Sequence, residues 1–213
     1  MTFLPALSFA LLVGLGQIAY AQGKLDNTAR KNADAFIAAL KIAELAEGKQ
    51  ALRQTLWSAD AYVLGDLPVV IDQRTLFEGM FDTDISGVRG YKRLIEAKVQ
   101  SQARTTLTAR YILISYKDRK SGAWRIFDFR DLAGSSIEHE IEATRRRLDD
   151  TQYSTKQFNY SSYAYWLTFG GKLNEAKQAH LLAATINQTQ PAKRFSQTEH
   201  DDALRVLNSI IEK

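Results

Sequence analysis

The chain has 213 residues, 45% of them hydrophobic, 24% charged and 10% aromatic, with three prolines and no cysteine. This is the composition of a chain that can bury a core, and it is neither disordered, collagen-like nor disulfide-stapled. With no thiol, cysteine nucleophiles, thiolate metal clusters and structural disulfides are all excluded. The net charge of +4 is uneven: lysine plus arginine against aspartate plus glutamate run 7 to 10 over residues 22–84, 14 to 9 over 85–150 and 7 to 5 over 151–213. The middle third is therefore the basic one. A basic stretch favours anionic surfaces; nucleic acid is the less accessible of these for a chain whose first residues, described next, predict export, and it is not expected.

Residues 3–18 are uncharged and mostly apolar and run into Ala19-Tyr20-Ala21, a small-x-small cleavage signature. They predict a signal peptide, residues 1–21, with no stable membrane span once it is removed. A cysteine-free exported chain points to a bacterial envelope, hence a periplasmic or secreted location.

In chain order, Ala33, Phe36, Ile37, Leu40, Ala43 and Leu45 recur at near-helical spacing between Asn27 and Glu47, and Gly48 is a stop signal. A second helix is expected over Gln50 to Ser58, then two short apolar runs, Ala61 to Leu64 and Val69 to Ile71, around a Gly65-Asp66-Leu67-Pro68 turn. The segments Arg74 to Phe81 and Tyr91 to Gln100 read as helices. Arg104 to Lys117 and Ala123 to Arg130 read as a long antiparallel hairpin, rich in β-branched and aromatic residues. Strict alternation on its second strand places Trp124, Ile126 and Asp128 on one face. Ser135 or Ser136 caps a helix over Ile137 to Leu148, with acids early and Arg145-Arg146-Arg147 late, which complements the helix dipole.

The polar stretch 149–159 predicts a domain boundary. Beyond it, Tyr160 to Phe169 and Leu173 to Asn187 form a helical pair around Gly170-Gly171, and a third helix runs from Thr198 to Glu212. The expected organisation is thus a signal peptide (1–21), an α+β domain (22–150) with an antiparallel sheet and packed N-terminal helices, and an all-α extension (151–213).

Few motifs carry chemistry. The three histidines, His139, His180 and His200, are spread over separate helices without the convergence a zinc site needs, so no metal and no cofactor is expected. Asp82-Thr83-Asp84 lacks the further ligands of a calcium loop and reads as a solvated turn. No nucleophile elbow, phosphate loop or dinucleotide fingerprint occurs. A carboxylate among apolar neighbours is the enzyme-like feature, and burial would raise its pKa towards a useful range. Asp128 and Asp60 are the weak catalytic candidates. Trp124, Ile126, Asp128 and Tyr111 are the candidates for lining a ligand site, and Tyr165 and Trp166, within an aromatic-rich helix, for contacting a partner.

Two resemblances add to this reading. Gly171, Ala176 and Ala183, with Tyr160, Tyr163 and Leu167 before them, resemble one tetratricopeptide repeat (TPR), the last helix standing as a cap. One such unit cannot bury its own faces, which implies packing on the rest of the chain or on another protein. The order of a long helix, a strand pair holding Ala59-Asp60-Ala61, further helices and a long hairpin looks like the NTF2-like superfamily. Within that set, Trp124-Arg125-Ile126-Phe127-Asp128 followed by Gly134-Ser135-Ser136 is similar to the ending of MlaC-type periplasmic phospholipid carriers. That likeness implies an apolar cavity for acyl chains between sheet and helices, while the wider superfamily implies an inward acid in isomerases and related enzymes. The expected function is a non-enzymatic ligand-binding or protein-interaction protein, whose partner is a protein on the C-terminal helices or an apolar small molecule or lipid. The alternatives are an MlaC-like lipid carrier and a small-molecule isomerase or hydrolase.

Overall fold

Four strands and six helices make up the described part of the chain, residues 25–57, 67–100, 105–149, 156–189 and 197–212 of a computed structural model. The order is α1 (Asn27–Leu40), α2 (Ala46–Thr55), β1 (Val69–Asp82), β2 (Arg89–Gln100), β3 (Thr106–Lys117), β4 (Trp124–Asp131), α3 (Ile137–Leu148), α4 (Lys156–Phe169), α5 (Leu173–Thr189) and α6 (Gln197–Ile211). The strands form one antiparallel meander, β1-β2-β3-β4, so the chain is an α+β protein. The expected signal peptide (residues 1–21), Asp60, Ala61 to Leu64 and Tyr153 lie outside the described residues.

The expected helices at Arg74–Phe81 and Tyr91–Gln100 are in fact strands β1 and β2. Helix-forming residues such as Leu94, Glu96, Ala97 and Lys98 lead a propensity reading astray. The alternation decides the structure: Tyr91, Arg93, Ile95, Ala97 and Val99 are buried, and the residues between them are more open. Strand β1 hides its period because its register slips between Val70 and Asp72 and again between Thr75 and Phe77.

Each sheet face has its own helical cover. On one, Phe36, Ile37 and Leu40 of α1 and Leu52 of α2 pack with Tyr91, Ile95, Tyr111, Leu113, Trp124, Ile126 and Phe129. On the other, Phe81, Ile112, Ile114 and Tyr116 pack with Ile141 of α3, Tyr163, Leu167 and Phe169 of α4, Leu173 of α5 and Leu207 of α6. A period-two sheet buried on both faces reads as nearly continuous apolar sequence, which is what β3 shows from Tyr111 to Ile114.

Polar contacts fix the second layer. The Tyr116 hydroxyl, buried in the sheet, donates to the Thr168 carbonyl oxygen, and the Arg119 N–H donates to the Ser209 carbonyl oxygen at 3.0 Å. Asp84 accepts from the Leu173 N–H at 2.6 Å and the Asn174 N–H at 3.2 Å, capping α5 from a distant loop. The expected solvated turn at Asp82–Asp84 therefore serves as a helix anchor. Helix α3 starts at Ser136, whose hydroxyl accepts from the His139 N–H at 3.1 Å. Arg145 and Arg146 in its last turn hold Glu142 at 2.9 and 3.0 Å.

Candidate functional site

Strand β4 carries most of the residues singled out by sequence, but it does not present them on one face. Ser115 pairs with Ile126 and Ile114 with Asp128, so Phe127 is an extra residue, a β-bulge that turns Asp128 away from Ile126. The expected alternation fails at this one step. Trp124 and Ile126 point beneath α1, while Phe127 and Asp128 point towards α4.

The α1 side is filled. The Trp124 indole N–H donates to Asp26 Oδ2 at 3.1 Å, and that carboxylate also caps α1. Burial works against the Asp26 charge, but the hydrogen bonds from Thr28, Ala29 and Trp124 outweigh it and hold the group below the usual carboxylate range. Tyr111 stacks on Phe129 at 4.7 Å, and Phe129 meets Phe36 edge-on at 5.6 Å. Burial, and secondarily the charge of Asp131, push the Tyr111 hydroxyl pKa up. Trp124, Ile126 and Tyr111 thus lie within the core packed against α1 and α2, Tyr111 on Phe129.

The α4 side holds a different assembly. Tyr165 donates to Asp128 Oδ2, and Arg130 Nε donates to the same oxygen at 3.0 Å. The Phe129 N–H donates to Asp128 Oδ1 at 2.7 Å. The Arg130 guanidinium lies 4.8 Å from the Tyr165 ring centre and 5.8 Å from that of Trp166. Tyr165 and Trp166 meet edge-on at 5.3 Å, and Phe127 supports Tyr165 from below at 5.6 Å. Both rings are half-buried and Arg130 is exposed, so the seam between α4 and β4 reaches the surface. The structure therefore brings Tyr165, Trp166 and Asp128 together and leaves Trp124, Ile126 and Tyr111 on the other side. Arg130 was missed in the sequence. Its position two residues beyond Asp128 on the same strand was the available signal.

Beyond the helices the same sheet face continues uncovered. Arg74, Glu96 and Arg110 form a row across β1, β2 and β3, with Glu96 held by Arg74 at 2.8 Å and by Arg110 at 3.9 Å. Asp72, Lys98 and Thr108 form the next row, all exposed or partly so. A shallow hollow of about 320 Å³ opens between Glu96, Thr108 and Arg110 and the turn after β4 at Asp131, Ala133 and Gly134.

On the α1 side, the guanidinium of Arg93, 3% exposed, binds Asp34 at 2.6 Å, Glu78 at 2.9 Å and the Tyr91 hydroxyl at 2.8 Å. Tyr91 in turn donates to Glu78 at 2.7 Å, and Arg30 holds the other Glu78 oxygen at 3.1 Å. Burial, reinforced by Glu78, pushes the Tyr91 pKa up. Inside the helical layer, His200 Nδ1 sits 3.5 Å from the Ser161 hydroxyl, and His180 is buried nearby. Burial above all, and then the neighbouring His200, push the His180 imidazole down to about 4. Among the described residues no cluster of three metal-ligating side chains occurs, and no helix is long and apolar enough to cross a membrane.

No protein-family model matches this chain, and no curated protein or solved structure matches it.

Proposed function

We propose that this chain is an exported, non-enzymatic protein-interaction module that contacts its partner at the seam formed by Tyr165, Trp166, Arg130 and Asp128. The single observation behind this is the half-exposed Arg130 guanidinium stacked on two aromatic rings beside an uncovered, arginine-bearing sheet face. Tyrosine, tryptophan and arginine are the residues that dominate binding energy at protein interfaces. With Arg110, Arg74 and Lys98 beyond it, the surface suits a segment that carries carboxylates next to apolar side chains. The NTF2-like layer order and the TPR-like helical pair are part of this proposal.

Lipid carriage is the less favoured reading, because the side chains meant to line an acyl cavity are packed beneath α1. Catalysis by Asp128 is less favoured too, because one of its oxygens serves Tyr165 and Arg130 and the other its own strand.

A photo-crosslinking residue placed at Trp166 in an exporting bacterial host, compared with one at the exposed Leu181 on α5, tests the proposal. The expected result is a partner captured at 166 only. Purified, that partner should bind the chain at least about tenfold more weakly after Arg130→Glu or Trp166→Ala, with unchanged circular dichroism. Equal capture at both positions, or an affinity that ignores both substitutions, would overturn it. Phospholipid retained in native mass spectrometry would move the choice to lipid carriage.

A further inference from the structure

Strand β1 is one edge of the sheet and is long, 14 residues, with Ile71, Leu76 and Phe77 all exposed along it. No strand pairs with its outer side among the described residues. Edge strands of this length usually carry charge or irregularity that blocks pairing with another chain, and the two register slips of β1 leave Asp72 to Thr75 as the regular stretch between them. Within that stretch the charges are arranged in the opposite sense. Around Gln73 the order is Ile71, Asp72, Gln73, Arg74, Thr75, so a two-fold axis through Gln73 sets Asp72 opposite Arg74 of a second copy, twice. In an antiparallel pair, residues directly opposite share a face and their Cβ atoms lie about 4.5–5.5 Å apart. Both side chains belong to the face that carries Glu96 and Lys98. Arg74 is held at that edge by Glu96, through Nε at 2.9 Å and Nη2 at 2.8 Å, leaving Nη1 uncommitted among the described residues. Asp72 is exposed, and its contact is the neighbouring Gln73 N–H at 2.8 Å.

We infer that two copies of this chain associate through antiparallel pairing of β1 with β1, centred on Gln73 and specified by reciprocal Asp72–Arg74 pairs, giving a continuous eight-stranded sheet. The contact is isologous and closes on itself, so it ends at a dimer.

Light scattering on the purified protein over a concentration series tests this, with designed pairs of charge variants. The wild type should reach twice the chain mass. Asp72→Lys alone sets two cations against each other at both reciprocal positions, and Arg74→Glu alone sets two anions there, so each should weaken self-association at least about tenfold. Mixed together, the two variants regain complementary pairs and should form a heterodimer. Because the chain has no cysteine, Gln73→Cys adds a single thiol at the axis, within disulfide reach of its symmetry mate. It should cross-link on mild oxidation, whereas Leu107→Cys, exposed on β3, should not. A monomer at every concentration refutes the inference. So does a dimer indifferent to both charge variants, or one in which Gln73→Cys stays reduced.

Discussion

Lowering the pH from 7 to 5 should loosen the helical layer, and His180 sets how much. Its imidazole is 8% exposed, and its Nδ1 has no partner among the described residues. Burial, with the adjacent His200, lowers its pKa from 6.5 to about 4. The folded state therefore binds the proton less well than the unfolded chain, and stability is complete above about pH 6.5 and falls as the pH drops towards 4. A shift of that size is worth ~3 kcal/mol in full, of which about 2 kcal/mol is lost by pH 5. For a chain of this length, about 2 kcal/mol corresponds to a fall in Tm of about 4–8 °C. His200 is depressed in the same direction by burial, with Glu199 and Asp201 opposing, and adds to the slope. His139, the third histidine, is exposed on α3. The assay is thermal unfolding by circular dichroism between about pH 7.5 and 5, comparing the parent with His180→Leu. The variant should lose much of the pH dependence while remaining folded. A parent and variant with parallel slopes would refute the reasoning, because the proton uptake would then lie elsewhere.

Other perturbations have defined outcomes. Arg93→Ala leaves the partly buried Glu78 carboxylate with the half-exposed Arg30 as its remaining cation and should cost about 3 kcal/mol in urea unfolding, at the lower end for buried pairs because Asp34 and Arg30 are half-exposed and screened. A loss below about 0.5 kcal/mol would show that water compensates Glu78. Asp84→Ala removes the cap of α5 and should cost about 1 kcal/mol, with faster amide exchange at Leu173 and Asn174 and not in α1. Gly48→Ala would drive a methyl group into the Ile42 carbonyl oxygen, far inside van der Waals contact, so the α1–α2 corner must open at a cost of about 3 kcal/mol; an unchanged Tm would mean that the corner adapts freely.

How legible the fold was depended on which physical signal dominated each element. Helix α1 was readable from its period, but it ends at Leu40, and Gly48, the expected stop, lies inside α2; the β3–β4 hairpin was readable from its β-branched and aromatic residues, as were α3, from its serine cap and late arginines, and the pair around Gly170–Gly171. Strand β2 was misread because residues of high helix propensity sit on it, and its two-residue period shows only once Arg93 is accepted as a buried residue. A buried arginine looks like a surface residue in sequence, and nothing local announces the Glu78 and Asp34 that neutralise it from 15 and 59 residues away. The candidate ligand residues on β4 were separated by one bulge at Phe127, set by the pairing with β3 and not by β4 alone. Tyr165 and Trp166 stood out in sequence, but their meeting with Arg130 depends on how α4 lies on the sheet.

The Arg93 contacts also act as a check on strand alignment. Glu78 and Arg93 are directly opposite in the β1–β2 ladder, and a slip of one residue would turn Glu78 to the far side of the sheet. Arg93 would then be left in an apolar layer with no counter-charge from β1, a penalty that wrong alignments carry and the native one does not. Because Asp34 belongs to α1, the guanidinium is fully neutralised only once the first helix has settled on the sheet. A strongly polar group in the interior thus proofreads both the strand alignment and the placement of that helix.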